Sequence, residues 1–123
     1  MESEEEAMKN LLSIENPGMD DLLRCFFGLK IHEIDAFKAL KDAGQVTGEQ
    51  LADILNKDKS GVHRTLQTLL LIGLVERDYR LLRSGGYIFL YHTLPPERLK
   101  DIARLKLKHW HETIGSIIEE FGE

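Results

Sequence analysis

Lys57, Lys59, Ser60, His63, Arg64 and Gln67 crowd into one short stretch, "KDKSGVHRTLQTLLLIGLVERD". These side chains suit non-covalent recognition of a polyanion. An Arg can grip guanine, a Gln can grip adenine, Ser or His can serve either base, and Lys neutralises phosphates. At 100° per residue, Ser60, Arg64 and Gln67 fall on one side of a helix, with His63 and Thr68 flanking them. Val62, Leu66 and Leu69 fall on the opposite side. Lys57 and Lys59 stand at the entrance, where free backbone N–H groups also favour an anion. Arg80 and Arg83 follow beside the glycine-rich "RSGG", placed to track phosphates. The plain alternative is a solvated polar face on an ordinary small helix.

Other reactive residue types are scattered. Cys25 sits in "LLRCFFGL" among apolar helix positions, the setting of a buried, inert thiol rather than a redox sensor. His109 and His111 are two apart and point to different helix faces, and His92 stands alone in a strand; neither pattern is a metal set. No phosphate-binding loop, nucleophile elbow or distinguishable carboxylate pair is present. The expectation is a non-enzyme with no catalytic residues, metal or cofactor.

The elements that would position the basic stretch are legible from caps and periodicity. Residues 3–14 read as a short amphipathic helix capped by Ser3, with Ala7, Leu11 and Ile14 on one face. Helical segments follow at 19–29 and 31–43, with Gly28 and Gly44 as stops. Thr47 and Gln50 form a capping box ahead of Leu51, Ile54 and Leu55. Asp58 caps the next helix, which Gly73 ends. Two short capped helices joined by a tight turn are a helix-turn-helix. The period then changes to two in "LVERDYRLL" and "GYIFLYHTL", a hairpin closed by "RSGG" and therefore a wing. Last comes a helix of about 25 residues opened by prolines. Its apolar residues Ala103, Leu107, Trp110, Ile114, Ile117 and Phe121 recur at alternating spacings of 4 and 3. So narrow a seam suits a partner helix and predicts a dimer interface.

The expected fold is therefore mainly α, an α+β winged helix. A helical extension occupies 1–18, the winged helix-turn-helix 19–94, and a dimerisation helix 95–123. The formal net charge of −5 hides an uneven distribution, −7 over residues 1–56, +6 over 57–108 and −4 over 109–123. A basic block between acidic ends lets an acidic protein attract a polyanion, although a charge-mixed solvated surface reads the same way. The longest apolar run, Leu69–Val75, is far short of the ~20 residues needed to span a bilayer. The acidic "MESEEEAM" is unlike a signal peptide, and a single cysteine fits a reducing interior. No membrane association is expected, and the expected location is cytoplasmic.

Four stretches, "GLKIHEIDAFKAL", "TGEQLADILNKDKSGVHRTLQTLLLIGLVER", "GGYIFLY" and "HWHETIGSIIEEF", together resemble winged-helix transcriptional regulators of the TrmB-like and MarR-like type, particularly short archaeal members. The resemblance spans about residues 20–121. It implies a homodimer that binds double-stranded DNA, with Ser60, Gly61, His63, Arg64 and Gln67 as recognition-helix contacts. This sequence departs from the pattern at Leu70, Leu71 and Ile72, where the family usually carries charge, and those residues need cover. The sugar-sensing domain of long TrmB-like proteins has no counterpart in these 123 residues, so no effector carries over. A MarR-like small-molecule effector is compatible with the pattern, but no residue set identifies it. Two functions remain open. One is a DNA-binding regulator, favoured by the basic helix and wing. The other is a winged-helix module that docks a protein of the transcription machinery, favoured by the acidic total and the apolar tripeptide.

Overall fold

A computed structural model describes residues 6, 9–11 and 13–122. Ser3 and Ala7, expected to cap and line the first helix, lie outside the described residues. Leu11 is helical and half-buried, whereas Ile14 already lies past the helix.

Helix α1 (Met19–Phe27) carries Asp20 and Asp21 in its first turn, and Asp21 Oδ2 accepts a hydrogen bond from the Gly18 N–H at 2.8 Å. It ends at Gly28 (φ +67°), a left-handed position that costs glycine little. Helix α2 (Ile31–Ala43) opens in the same way, with the Lys30 N–H donating to Glu33 Oε1 at 2.8 Å, and buries Ile34, Ala36, Phe37 and Leu40.

The helix-turn-helix forms as its caps dictate. Ahead of α3 (Gly48–Leu55), Thr47 Oγ1 accepts from the Gln50 N–H at 3.1 Å, while Gln50 Oε1 accepts from the Thr47 N–H at 2.9 Å. Asn56 then turns left-handed (φ +53°), a conformation that its short polar side chain tolerates, and only residues 56–58 separate the two helices. Asp58 Oδ2 caps α4 (Lys59–Ile72) by accepting from the N–H groups of Ser60 at 3.1 Å and Gly61 at 3.3 Å. Leu40, Leu51, Leu66 and Leu69 are fully buried in this part of the chain. Each contributes roughly 1.5–3 kcal/mol of burial.

Strand β1 (Val75–Leu81) pairs antiparallel with β2 (Tyr87–Thr93), in register from Val75↔Thr93 to Leu81↔Tyr87. Val46 adds a short bridge to Tyr91 on the free side of β2. At the tip, the Leu82 N–H donates to the Gly86 carbonyl at 3.1 Å. Gly85 and Gly86 both take positive φ there. Helix α5 (Pro96–Glu119) runs 24 residues and tightens into a single 3-10 turn at Glu120–Gly122.

These elements divide into two compact units. One is Lys30–Leu94, the winged helix proper; the other combines Met1–Leu29 with Pro95–Glu123. The helix at Met19–Phe27 thus falls with the terminal helix and not with residues 30–94, as the 19–94 boundary had it. The physical reason is its apolar face: Cys25, 5% exposed, and Trp110, 3% exposed, form one buried cluster joined by Leu11, Phe26 and Ile114. This revises the expected seam. Trp110 serves its own chain's core, so it is removed from the interface set, and Ile114 packs beside it. Ala103 is half-buried, whereas Leu107, Ile117 and Phe121 are exposed. Phe121 lies in the 3-10 turn past the end of the α-helix. Among the described residues no helix is long and apolar enough to cross a membrane.

Candidate nucleic-acid interface

Helix α4 sets the geometry of the site. Val62, Thr65, Leu66 and Leu69 are buried, which forces Ser60, His63, Arg64 and Gln67 to the exposed side. Thr65 is the one polar member of the buried stripe, and it is accommodated because its hydroxyl donates to the Gly61 carbonyl at 3.1 Å. Thr68 does the same one turn later, donating to the Arg64 carbonyl at 3.2 Å. The outward stripe is thereby left with Ser60, Arg64 and Gln67 as its free polar groups.

A groove runs along each flank of this stripe. The one toward the wing encloses about 350 Å³ and is lined by Thr47, Gly48, Glu49, Lys59, His63, Ile88, Phe89 and Tyr91. The one on the opposite flank encloses about 520 Å³, and its lining includes Lys57, Gly61 and Arg64. Lys57 and Lys59, two residues apart in sequence, therefore serve different grooves. Lys59 also reaches Glu49, with Nζ 3.9 Å from Oε2 in an exposed pair of little energetic weight.

The wing sorts its residues by register. One face carries Arg77, Tyr79, Leu81, Tyr87, Phe89 and Tyr91; the other carries Glu76, Asp78, Arg80, Ile88, Leu90 and His92. The first face is an aromatic ladder. The Tyr79 and Tyr87 rings stack at 5.0 Å between centroids, and the Tyr87 and Phe89 rings meet edge-on at 5.4 Å. The Arg77 guanidinium sits 4.3 Å from the Phe89 ring centroid, a cation–π contact that preorganises a charge near the wing-side groove. Sequence reading had not singled out Arg77; its alternation with Tyr79 and Leu81 was the available signal. Arg80 lies on the face opposite Phe89, Arg83 stands in the turn, and neither lines either of these two grooves. Asp78 on that second face accepts from Gln45 Nε2 at 2.7 Å and lies 3.5 Å from His92 Nε2, which fastens the base of the hairpin.

Not every expected contact converges. Lys59 and His63 meet in one groove, Lys57, Gly61 and Arg64 in the other, and Ser60 and Gln67 lie exposed on the helix. The apolar departure at the end of α4 is uneven: Leu70 is half-buried, Ile72 is 39% exposed, and Leu71 is 90% exposed.

Comparison with known proteins bears on this architecture. The sequence pattern of the family described as "Sugar-specific transcriptional regulator TrmB" matches residues 23–97. The uncharacterized protein MJ1503 of Methanocaldococcus jannaschii is 30% identical over 101 residues, covering 82% of this chain and 76% of its own. Among solved structures, a possible transcriptional regulator from Methanosarcina mazei superposes with a TM-score of 0.77 at 18% identity, covering 90% of this chain and 94% of its own. The ST1889 protein of Sulfolobus tokodaii superposes at 0.60 with 21% identity, covering 77% and 93%. These likenesses share the winged-helix fold.

Proposed function

The chain belongs to the TrmB family of transcriptional regulators, and from that premise we propose that it binds DNA sequence-specifically as a cytoplasmic homodimer. Helix α4 enters the major groove, and Ser60, His63, Arg64 and Gln67 read base edges there. Lys57 and Lys59 hold the sugar–phosphate strands beside it, and Arg80 and Arg83 follow the backbone from the wing. The observation that carries this reading is the outward stripe of Ser60, Arg64 and Gln67, held off the core by the buried Val62, Leu66 and Leu69 and flanked by two grooves with cations in their walls.

The homodimer rests on α5. At 24 residues, this helix would span about 36 Å. Leu107 and Ile118 lie three turns apart on one side of it and are 55% and 56% exposed. A two-fold pairing of such helices would also present two recognition helices to successive major grooves roughly 34 Å apart.

One observation favours a second reading, a winged-helix module that docks another protein: Leu71, bare at 90% exposure where α4 ends. A gel shift on the DNA upstream of the protein's own gene, repeated over a salt series, separates the two. A discrete complex that resists competitor DNA and weakens steeply with salt supports the regulator. Absence of any complex at low salt supports the docking module.

A further inference from the structure

The groove on the flank of α4 away from the wing contains basic side chains that lie some thirty residues upstream in sequence. Lys30 and His32, at the start of α2, line it together with Lys57, Gly61 and Arg64. All four cationic or imidazole side chains are exposed, and none has a carboxylate partner among the described residues. The two acids in the same walls are already engaged. Glu33, 7% exposed, accepts from the Lys30 N–H through Oε1, and Asp58 accepts from the Ser60 and Gly61 N–H groups through Oδ2. Each carboxylate is thus held by the positive end of a helix, which offsets much of its charge locally. With Glu33 buried and Asp58 held at its helix end, the balance of charge facing solvent in these walls is basic.

A helix about 10–12 Å across fills a major groove about 12 Å wide, so it meets a sugar–phosphate strand on both flanks. The wing-side groove accounts for one strand. We propose that Lys30 and His32, acting with Lys57, hold phosphates of the other strand, so that α2 is a second backbone-contacting element. Gly61 leaves this wall without a side chain where the strand would approach. The inference rests on the DNA-binding reading above and adds residues to it.

The test uses the whole chain and two duplexes: one that it selects from a random pool, and a shuffled version of that duplex. Affinities are measured by fluorescence anisotropy across a salt series for the unmodified protein, Lys30→Ala/His32→Ala, Lys30→Arg and Arg64→Ala. Both α2 positions are exposed, and Lys30 serves the cap through its main-chain N–H, so the helix survives the changes. Removing the lysine contact should flatten the slope of log affinity against log salt by about 0.9. Because such contacts vanish near 1 M salt, that corresponds to about an eightfold loss at 0.1 M on both duplexes alike. Lys30→Arg should keep the original slope. Arg64→Ala should lose preference for the selected duplex and keep most of the slope. An unchanged slope and affinity for Lys30→Ala/His32→Ala, beside normal binding by the unmodified protein, overturns the α2 contact and leaves the DNA reading standing. Failure of the unmodified protein to bind either duplex overturns the reading beneath it.

Discussion

The two units of this chain are finished to different degrees. Residues 30–94 close on themselves: Leu40, Leu51, Leu66 and Leu69 are at 0% exposure, and both helices of the helix-turn-helix are capped by their own N-cap side chains. In the other unit, the 24 residues of α5 bury only Trp110, while Leu105, Leu107, Ile118 and Phe121 all stay more than half exposed. A single copy suffices for the first unit. The second has apolar surface still to cover, which is the physical content of the dimer proposal. The difference places the proposed reading face and the proposed pairing face in different units, so that each can be broken alone.

The largest effect should come from the unfinished unit. Leu107→Asp with Ile118→Asp removes two half-exposed side chains from each copy and spares Trp110 and Ile114. With about half of each 1.5–3 kcal/mol burial still to be gained, four side chains account for roughly 3–6 kcal/mol of pairing. The variant should sediment as a monomer at concentrations where the unmodified protein is dimeric, and its winged unit should stay folded. If it remains a dimer, α5 is not the interface.

Leu66→Ala probes the finished unit. A fully buried leucine truncated to alanine costs about 2–5 kcal/mol, so denaturant unfolding of residues 30–94 should shift sharply. A shift below 1 kcal/mol would mean that this core is looser than its burial implies. Arg64→Ala comes next and leaves folding alone. It should cost about 1–3 kcal/mol at the selected site through loss of base reading. Retained selectivity in that variant would take Arg64 out of the reading set.

Gly61→Ala is the smallest change and sharpens the contrast most. Gly61 has no positive φ, and an added Cβ would meet only Arg64 Nη2, at 3.9 Å. Nothing inside the protein requires glycine there, so alanine should stabilise the helix by about 0.5–1 kcal/mol. The winged unit should melt about 2–8 °C higher. If a DNA strand approaches this wall, affinity should fall in the same variant. Higher stability with undiminished affinity would show that the backbone stays clear of Gly61.

Much of the fold was legible because its determinants are local. Thr47 with Gln50, Asp58 at its N-cap and the Val62, Leu66, Leu69 stripe act within a turn or two of chain, where spacing is the geometry. Period-two alternation located both strands and the glycine turn. What escaped depends on packing. Lys30 and His32 meet Lys57 only because α2 packs beside α4, and nothing in their own stretch points to it. Arg77 needed the register of the hairpin before its face was known. The 4–3 spacing on the terminal helix marks apolar positions but does not distinguish a partner's helix from the chain's own Cys25. Trp110, which that spacing assigns to the dimer interface, belongs to the core of its own unit.

The distribution of aromatic residues has an optical consequence. Tyr79, Tyr87 and Tyr91 are the chain's three tyrosines, all on one face of the wing, and Trp110 is its only tryptophan. Light at the red edge of the near-ultraviolet band excites the indole alone, and its environment, 3% exposed beside a thiol, changes when the terminal unit opens. Second-derivative absorbance separates the narrow phenol bands from the overlapping indole, and those bands report the wing. One unlabelled sample therefore carries two colours, one for each unit. Heating it while watching both would show directly whether recognition and assembly melt as one transition or as two.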